Sequence, residues 1–197
     1  MGLFNAYNVD IAMEIQGLIL AGGQASRMGG VDKGLQLWND QWLVRYPLKA
    51  LEGLCGGILI SCNRNLDRYL TLVDEIVEDQ ASDYQGPLSG LVSAIERIRA
   101  EWLLVSPCDT PLVTTSDFEQ LLQAATQAPD HHLFALSDDE KSHPLHCLIH
   151  RSLFSEITAA FNDGERSVFR VFKRLGVIWV ETDKAHMRNV NALEQLN

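Results

Sequence analysis

The period of apolar and polar positions along the chain switches repeatedly between two and about 3.6, the repeats of strands and of helices. Ile15 to Leu20, interrupted only by Gln16 and Gly17, predicts a buried strand. Leu35 to Trp38 alternates and predicts a short strand ending at the turn residues Asn39-Asp40. Helical spacing from Trp42 to Leu54 runs through Leu43, Tyr46, Leu48 and Leu51, with Pro47 marking either a start or a kink and Gly56-Gly57 the end. Ile58 to Asn63 predicts a second parallel strand, Asn65 to Leu72 a short helix, and Glu75 to Asp79 a third strand ending on a carboxylate.

Ser89 is a suitable N-cap for a helix from Gly90 to Arg99, whose Leu91, Val92, Ile95 and Ile98 form one stripe. Trp102 to Val105 is the fourth strand, and Thr115 or Ser116 caps a helix reaching Ala125. Two strands, His132 to Leu136 and Pro144 to Ile149, flank the acidic turn Ser137 to Lys141. Helices at Leu153 to Phe161 and Val168 to Leu175, a strand at Val177 to Val180 and a helical turn at Ala192 to Leu196 complete the pattern. This alternation predicts a three-layer α/β protein, its mainly parallel, mixed sheet covered by helices on both faces. Residues 1–14 show no periodicity and are expected to extend from a single domain over 15–197. Right-handed crossovers put the ends of the first four strands on one edge, bringing Gly22, Asn63, Asp79 and Asp109 together.

Composition narrows the setting. A chain of 197 residues with 46% hydrophobic and 21% charged residues is that of an ordinary globular protein. No apolar run approaches bilayer length and the first residues lack a secretion signal, so a cytoplasmic protein is expected. Cys55, Cys62, Cys108 and Cys147 form no Cys-x-x-Cys pair, which argues against zinc or a disulfide framework. A net charge of −10 disfavours nucleic-acid and anionic-membrane partners, so an anionic ligand needs a local positive island.

Leu18 to Gly34 contains such an island. After the first strand come Gly22, Gly23, Gly29 and Gly30 together with Arg27 and Lys33. Glycines let backbone N–H groups approach an anion, and the two cations neutralise it. The Walker pattern fails because Gly34 follows Lys33, and the dinucleotide pattern fails on glycine spacing. Asp109, at a strand end between Pro107 and Pro111, is suited to hold Mg²⁺ against phosphates, or only to cap a helix or sit in a solvated turn. Lys33 and Arg27 are suited to offset charge developing on a leaving pyrophosphate. Asp79 is placed to meet a base or ribose, or only to cap its strand.

The segment Leu20-Ala21-Gly22-Gly23, followed by Arg27-Met28-Gly29-Gly30 and Asp32-Lys33, resembles the nucleotide-binding loop of the molybdenum cofactor guanylyltransferases. Pro107-Cys108-Asp109-Thr110-Pro111 is similar to that family's metal-binding segment, and Gly86-Pro87-Leu88-Ser89-Gly90 to a turn near its nucleotide. The resemblance implies a Rossmann-like nucleotidyltransferase fold and transfer of GMP from GTP to the molybdenum-bearing molybdopterin cofactor, with Mg²⁺ held by Asp109. It also implies molybdenum-insertion proteins and acceptor molybdoenzymes as partners. The family's second strand tends to end in two Asn residues; here the first is Ser61, leaving open whether Ser61 or Asn63 contacts the guanine or ribose. Asn189-Val190-Asn191 matches a segment assigned to the pterin side, and His143 precedes Pro144 as in the family. Asn189 and Asn191 serve equally well as turn residues. His146 and His150 share a strand face, and a metal trio with His143 is the weaker reading.

No Ser-His-Asp or Cys-His constellation is evident, and none is needed. A phosphate monoester on the acceptor is already anionic and attacks the α-phosphorus directly once aligned. Two alternatives remain at this level: a relative using CTP or a sugar phosphate, and a nucleotide-binding regulator without turnover.

Overall fold

The computed structural model describes residues 13–22, 32–78 and 86–190. Its main sheet has seven strands in the order β5-β4-β1-β6-β8-β7-β9. They are β1 (Ile15–Leu20), β4 (Ile58–Ser61), β5 (Glu75–Val77), β6 (Trp102–Pro107), β7 (Leu133–Ser137), β8 (Ser142–His150) and β9 (Ile178–Glu181). Neighbouring pairs are parallel except those made by β8, which runs antiparallel to both β6 and β7. The mixed, mainly parallel sheet of the sequence reading is thus present.

Side-chain alternation along β1 explains the three layers. Ile15 and Ile19 join Ile60, Leu104, Phe134 and Leu148 on the face covered by α1 (Arg45–Leu51), α2 (Leu66–Tyr69) and α4 (Thr115–Gln127). Leu18 and Leu20 join Leu59, Leu103 and Ile149 on the face covered by α3 (Pro87–Ile95), α5 (Phe154–Asn162) and α6 (Val168–Arg174). A strand buried on both sides can keep no polar face, hence the nearly continuous apolar run, with Gln16 only part-buried near its start.

Several boundaries differ from the sequence reading, and four of them have a clear local reason. Trp42 does not open a helix. Asn39 and Asp40 both have positive φ (47° and 61°), and this turn folds β2 (Leu37–Trp38) back on β3 (Gln41–Trp42). Helix α1 therefore starts at Arg45, with Pro47 in its first turn where no intrahelical N–H is required. It stops at Leu51, before Gly53 turns the chain at φ 84°, rather than reaching Gly56-Gly57. Ser89 lies inside α3: Gly86, at φ 91°, and Pro87 start that helix, proline's fixed φ suiting the first helical position. Thr114 precedes α4 and exchanges bonds with Asp117, one to two residues before the expected Thr115 or Ser116 cap. The expected turn at Ala192 to Leu196 lies outside the described residues. At the other end, Glu14 already accepts a bond from the Trp102 amide (2.9 Å) and Met13 packs on the core.

Candidate active site

The carboxyl ends of β1, β4 and β6 are laced together by backbone bonds just beyond the strands. The Ala21 amide donates to the Ser61 carbonyl (2.9 Å), and the Cys108 amide donates to that of Leu20 (3.1 Å). Leu20, Gly22, Ser61, Asn63, Gly86, Pro87 and Gly90 line a crevice there, between the strand ends and the start of α3. Such a crevice at the carboxyl edge is where α/β sheets place ligands. Leu88 is fully buried in the apolar layer, so its side chain packs the helix rather than facing the crevice.

Beside this crevice, Lys33 Nζ lies 2.6 Å from Asp109 Oδ2 and donates to Asn189 Oδ1 at 3.3 Å. The three residues come from separate stretches of chain. Lys33 opens a 3₁₀ turn, and its neighbour Asp32 is clamped by two donors, Tyr69 Oη (2.6 Å) and Asn65 Nδ2 (3.0 Å). Tyr69 is fully buried; burial and then the Asp32 hydrogen bond raise its pKa well above 10, so it stays a donor. Gly34 fits against this clamp because it has no side chain: a Cβ there would fall inside contact distance of Tyr69 Oη.

Asp109 is held by its own backbone, since its carbonyl accepts the Val190 amide at 2.8 Å. That bond also sets Asn189 against Lys33. The segment leading to Asn189 is tied to α4 through Asp117, whose Oδ1 accepts from Thr182 Oγ1 (2.6 Å) and His186 Nδ1 (3.0 Å). Burial alone would raise the Asp117 pKa; the bonds from His186, Thr182 and Thr114 outweigh it and leave the value below 3.8. The Lys33–Asp109 pair is partly exposed, with side-chain accessibilities of 24% and 18%, and contributes on the order of 1 kcal/mol to stability. Its importance is positional. Cys108, next to Asp109, is buried, and burial followed by the Asp109 charge pushes its thiol pKa up, so it is no nucleophile.

The hairpin of β7 and β8 closes the other side. Asp138 accepts the Glu140 and Lys141 amides, both at 2.8 Å, and pairs with His143 Nε2 at 2.7 Å. The His143 bond, with these amides, holds Asp138 down at about 2. His146 Nε2 lies 2.8 Å from Thr110 Oγ1, and burial pushes its pKa down to about 3. His150 sits at the far end of β8 beside Glu101 and Ser152. No group of three metal-ligating side chains is found among the described residues. A lone Asp109 carboxylate still suits Mg²⁺, which completes its shell with phosphate oxygens and water.

Lys33, Asp109 and Asn189 are therefore brought together, Leu20, Gly22, Ser61, Asn63, Gly86 and Pro87 line the adjoining crevice, and Ala21 is buried beneath it. Gly23, Arg27, Asp79 and Asn191 lie outside the described residues. The clamps on Lys33 and on the Asn189 segment were not anticipated: Tyr69 and Asp117 occur in helical patterns with no local mark of a distant partner.

A mainly parallel sheet with a glycine, a lysine and a carboxylate gathered at one edge defines an α/β protein whose edge is suited to phosphates. Residues 17–179 match the MobA-like NTP transferase domain, and the chain belongs to that family of nucleotidyltransferases. A relative in Pseudomonas paraeruginosa named molybdenum cofactor guanylyltransferase is 39% identical over 181 residues, covering 91% of each chain. The solved structure of molybdopterin-guanine dinucleotide biosynthesis protein A from Archaeoglobus fulgidus superposes with a TM-score of 0.73 at 18% identity, covering 92% of this chain and 94% of that one. A Thermus thermophilus 2-C-methyl-D-erythritol 4-phosphate cytidylyltransferase shares the fold, with a TM-score of 0.68 at 13% identity over 91% and 94% of the two chains. No helix among the described residues is long and apolar enough to cross a membrane.

Proposed function

We propose that this protein transfers GMP from GTP to the molybdenum-bearing molybdopterin cofactor, forming the guanine dinucleotide cofactor and releasing pyrophosphate. The observation that carries the reading is the Lys33–Asp109 juxtaposition at the carboxyl edge, in a chain 39% identical to a relative named for that activity.

In this reading Leu20 to Gly23 and Gly86 to Leu88 form the nucleotide cradle through backbone groups and the shape of the crevice. Ser61, Asn63 and Asp79 are assigned to the base or ribose, and His143, Asn189 and Asn191 to the pterin. An oxygen of the acceptor phosphate attacks the α-phosphorus as the bond from that phosphorus to the pyrophosphate oxygen breaks. The acceptor supplies the nucleophile, so the protein's task is alignment and charge neutralisation. Lys33 and Arg27 offset the negative charge that grows on the departing pyrophosphate. Asp109 would hold Mg²⁺, which supplies charge neutralisation and orientation at the phosphates. A cytoplasmic place of action, with molybdenum-insertion proteins upstream and acceptor molybdoenzymes downstream, fits this chemistry.

The test uses purified protein, Mg²⁺, molybdenum-loaded molybdopterin and each nucleoside triphosphate in turn, following pyrophosphate release. Turnover with GTP is expected. Turnover with CTP alone would overturn the guanylyl assignment in favour of the cytidylyl chemistry named for the Thermus relative of this fold, and no turnover with any nucleotide would favour a regulator.

A further inference from the structure

The buried imidazole of His146 is not used by the mechanism above. His146 and Thr110 are only 3% and 2% exposed, and their side chains meet at 2.8 Å across the boundary between β8 and the loop after β6. Thr110 directly follows Asp109. We propose that His146 is a positioning residue for the transfer reaction: its bond to Thr110 fixes the Asp109 carboxylate at the phosphates. This rests on the function proposed above, which it extends to the antiparallel strand.

Three observations argue that the bond, rather than packing, is the reason for an imidazole here. The first is cost. Nδ1 is buried with no hydrogen-bond partner among the described residues, and an unpaired polar atom is unfavourable where an apolar ring would have none. The second is setting. Phe118 stacks on one side (6.5 Å between centroids, 28° between planes), so a phenyl ring would be well accommodated. The third is support from behind. The His143 ring stands edge-on at 6.0 Å, and Asp138 pins it through the 2.7 Å bond, so the acidic turn buttresses His146.

The same geometry assigns the proton. An orphaned lone pair is tolerated more readily than an orphaned N–H, so the hydrogen sits on Nε2 and donates to Thr110 Oγ1. The loop is then held at three points in sequence: the Cys108 amide on Leu20, the Thr110 hydroxyl on His146, and the Asp109 carbonyl on the Val190 amide. Removing the Thr110 tie loosens the peptide that joins Asp109 to Thr110.

The experiment compares wild type, His146→Phe, His146→Gln, Thr110→Val and the double variant His146→Phe/Thr110→Val. Phe keeps the ring and loses the bond; Gln places an amide N–H near the position of Nε2. His146→Phe and Thr110→Val are expected to lower kcat for guanylyl transfer by about 10- to 100-fold. The KM for GTP should stay within about threefold, and the double variant should be no worse than either single one. His146→Gln should recover most of the loss. Independently of activity, amide hydrogen exchange at Val190 should accelerate at least about tenfold in His146→Phe and Thr110→Val but not in His146→Gln. Unchanged exchange at Val190, equal defects in Phe and Gln, or additive losses would each overturn the positioning role. Loss of Val190 protection in a protein whose wild type does not turn over GTP would instead overturn the functional reading and leave the tie standing.

Discussion

Replacing Gly34 by alanine tests whether the Tyr69–Asp32 clamp sets the position of Lys33. A Cβ at residue 34 would collide with Tyr69 Oη and lie 3.3 Å from the Ala21 Cβ and 3.4 Å from Tyr69 Cζ. Tyr69 is fully buried and its hydroxyl is committed to Asp32 at 2.6 Å, so the ring has no room to withdraw. Forcing one extra methyl into a packed site costs about 1–3 kcal/mol, so Gly34→Ala should lower stability by that amount. Tyr69→Phe alone should cost about 1.5 kcal/mol, the low end for a bond to a charged group, because Asp32 is only half-buried and can recruit water. The informative variant is the double one. Without Oη the closest approaches are the 3.3 and 3.4 Å contacts, and Gly34 is not at positive φ, so alanine is tolerated and restricts the unfolded chain by about 0.4–1 kcal/mol. Gly34→Ala should therefore be nearly neutral, or slightly stabilising, in the Tyr69→Phe background. Urea unfolding of the four proteins measures the coupling, expected at about 1–3 kcal/mol. Strictly additive stabilities would refute the clamp.

Other outcomes follow from the same geometry. Asp109→Asn should lower turnover by about 100-fold or more while the melting temperature moves by only a few degrees, as it removes charge but little volume; steady-state kinetics with calorimetry checks both. His146, near 6.5 when unfolded and pushed down to about 3 by burial, binds its proton more readily in the unfolded chain. It should cost up to about 1.4 kcal/mol of stability per pH unit as pH falls from 6.5 towards 3, a slope that His146→Phe removes in pH-dependent unfolding. Asp117→Ala should destabilise by about 2–3 kcal/mol, combining the α4 capping box with the ties to Thr182 and His186, as read from urea midpoints. Because the folded Asp117 pKa lies below 3.8, its stabilisation is present above pH 3.8 and lost as pH falls through the folded value, so wild type and variant should converge in acid.

The strands and the shared edge were legible because burial on both faces leaves mostly apolar runs, broken only by Gln16 and Gly17 in Ile15 to Leu20 and unbroken in Trp102 to Val105. Asp109 was legible for the same reason, since it ends such a run. The misplaced helix starts were turn chemistry outweighed by periodicity: Asn39-Asp40 closes a hairpin that claims Trp42, and Gly86-Pro87 starts α3 before the more obvious Ser89. Links between distant residues leave no local signal. Tyr69 and Asp32 are 37 positions apart, Thr110 and His146 36, and Lys33 and Asn189 156. The Thr110–His146 link depends on β8 being inserted beside β6, an order that alternation of elements does not specify.

The central claim is that the edge holding Lys33 and Asp109 directs attack at the α-phosphorus of GTP. GTP labelled at the α-phosphate, incubated with the protein, Mg²⁺ and molybdenum-loaded molybdopterin, tests this most directly. The label is expected in the dinucleotide product, in step with pyrophosphate release, and not when Asp109→Asn replaces the wild type. Label remaining wholly in free nucleotide while pyrophosphate or phosphate accumulates, or equal transfer by Asp109→Asn, would contradict it.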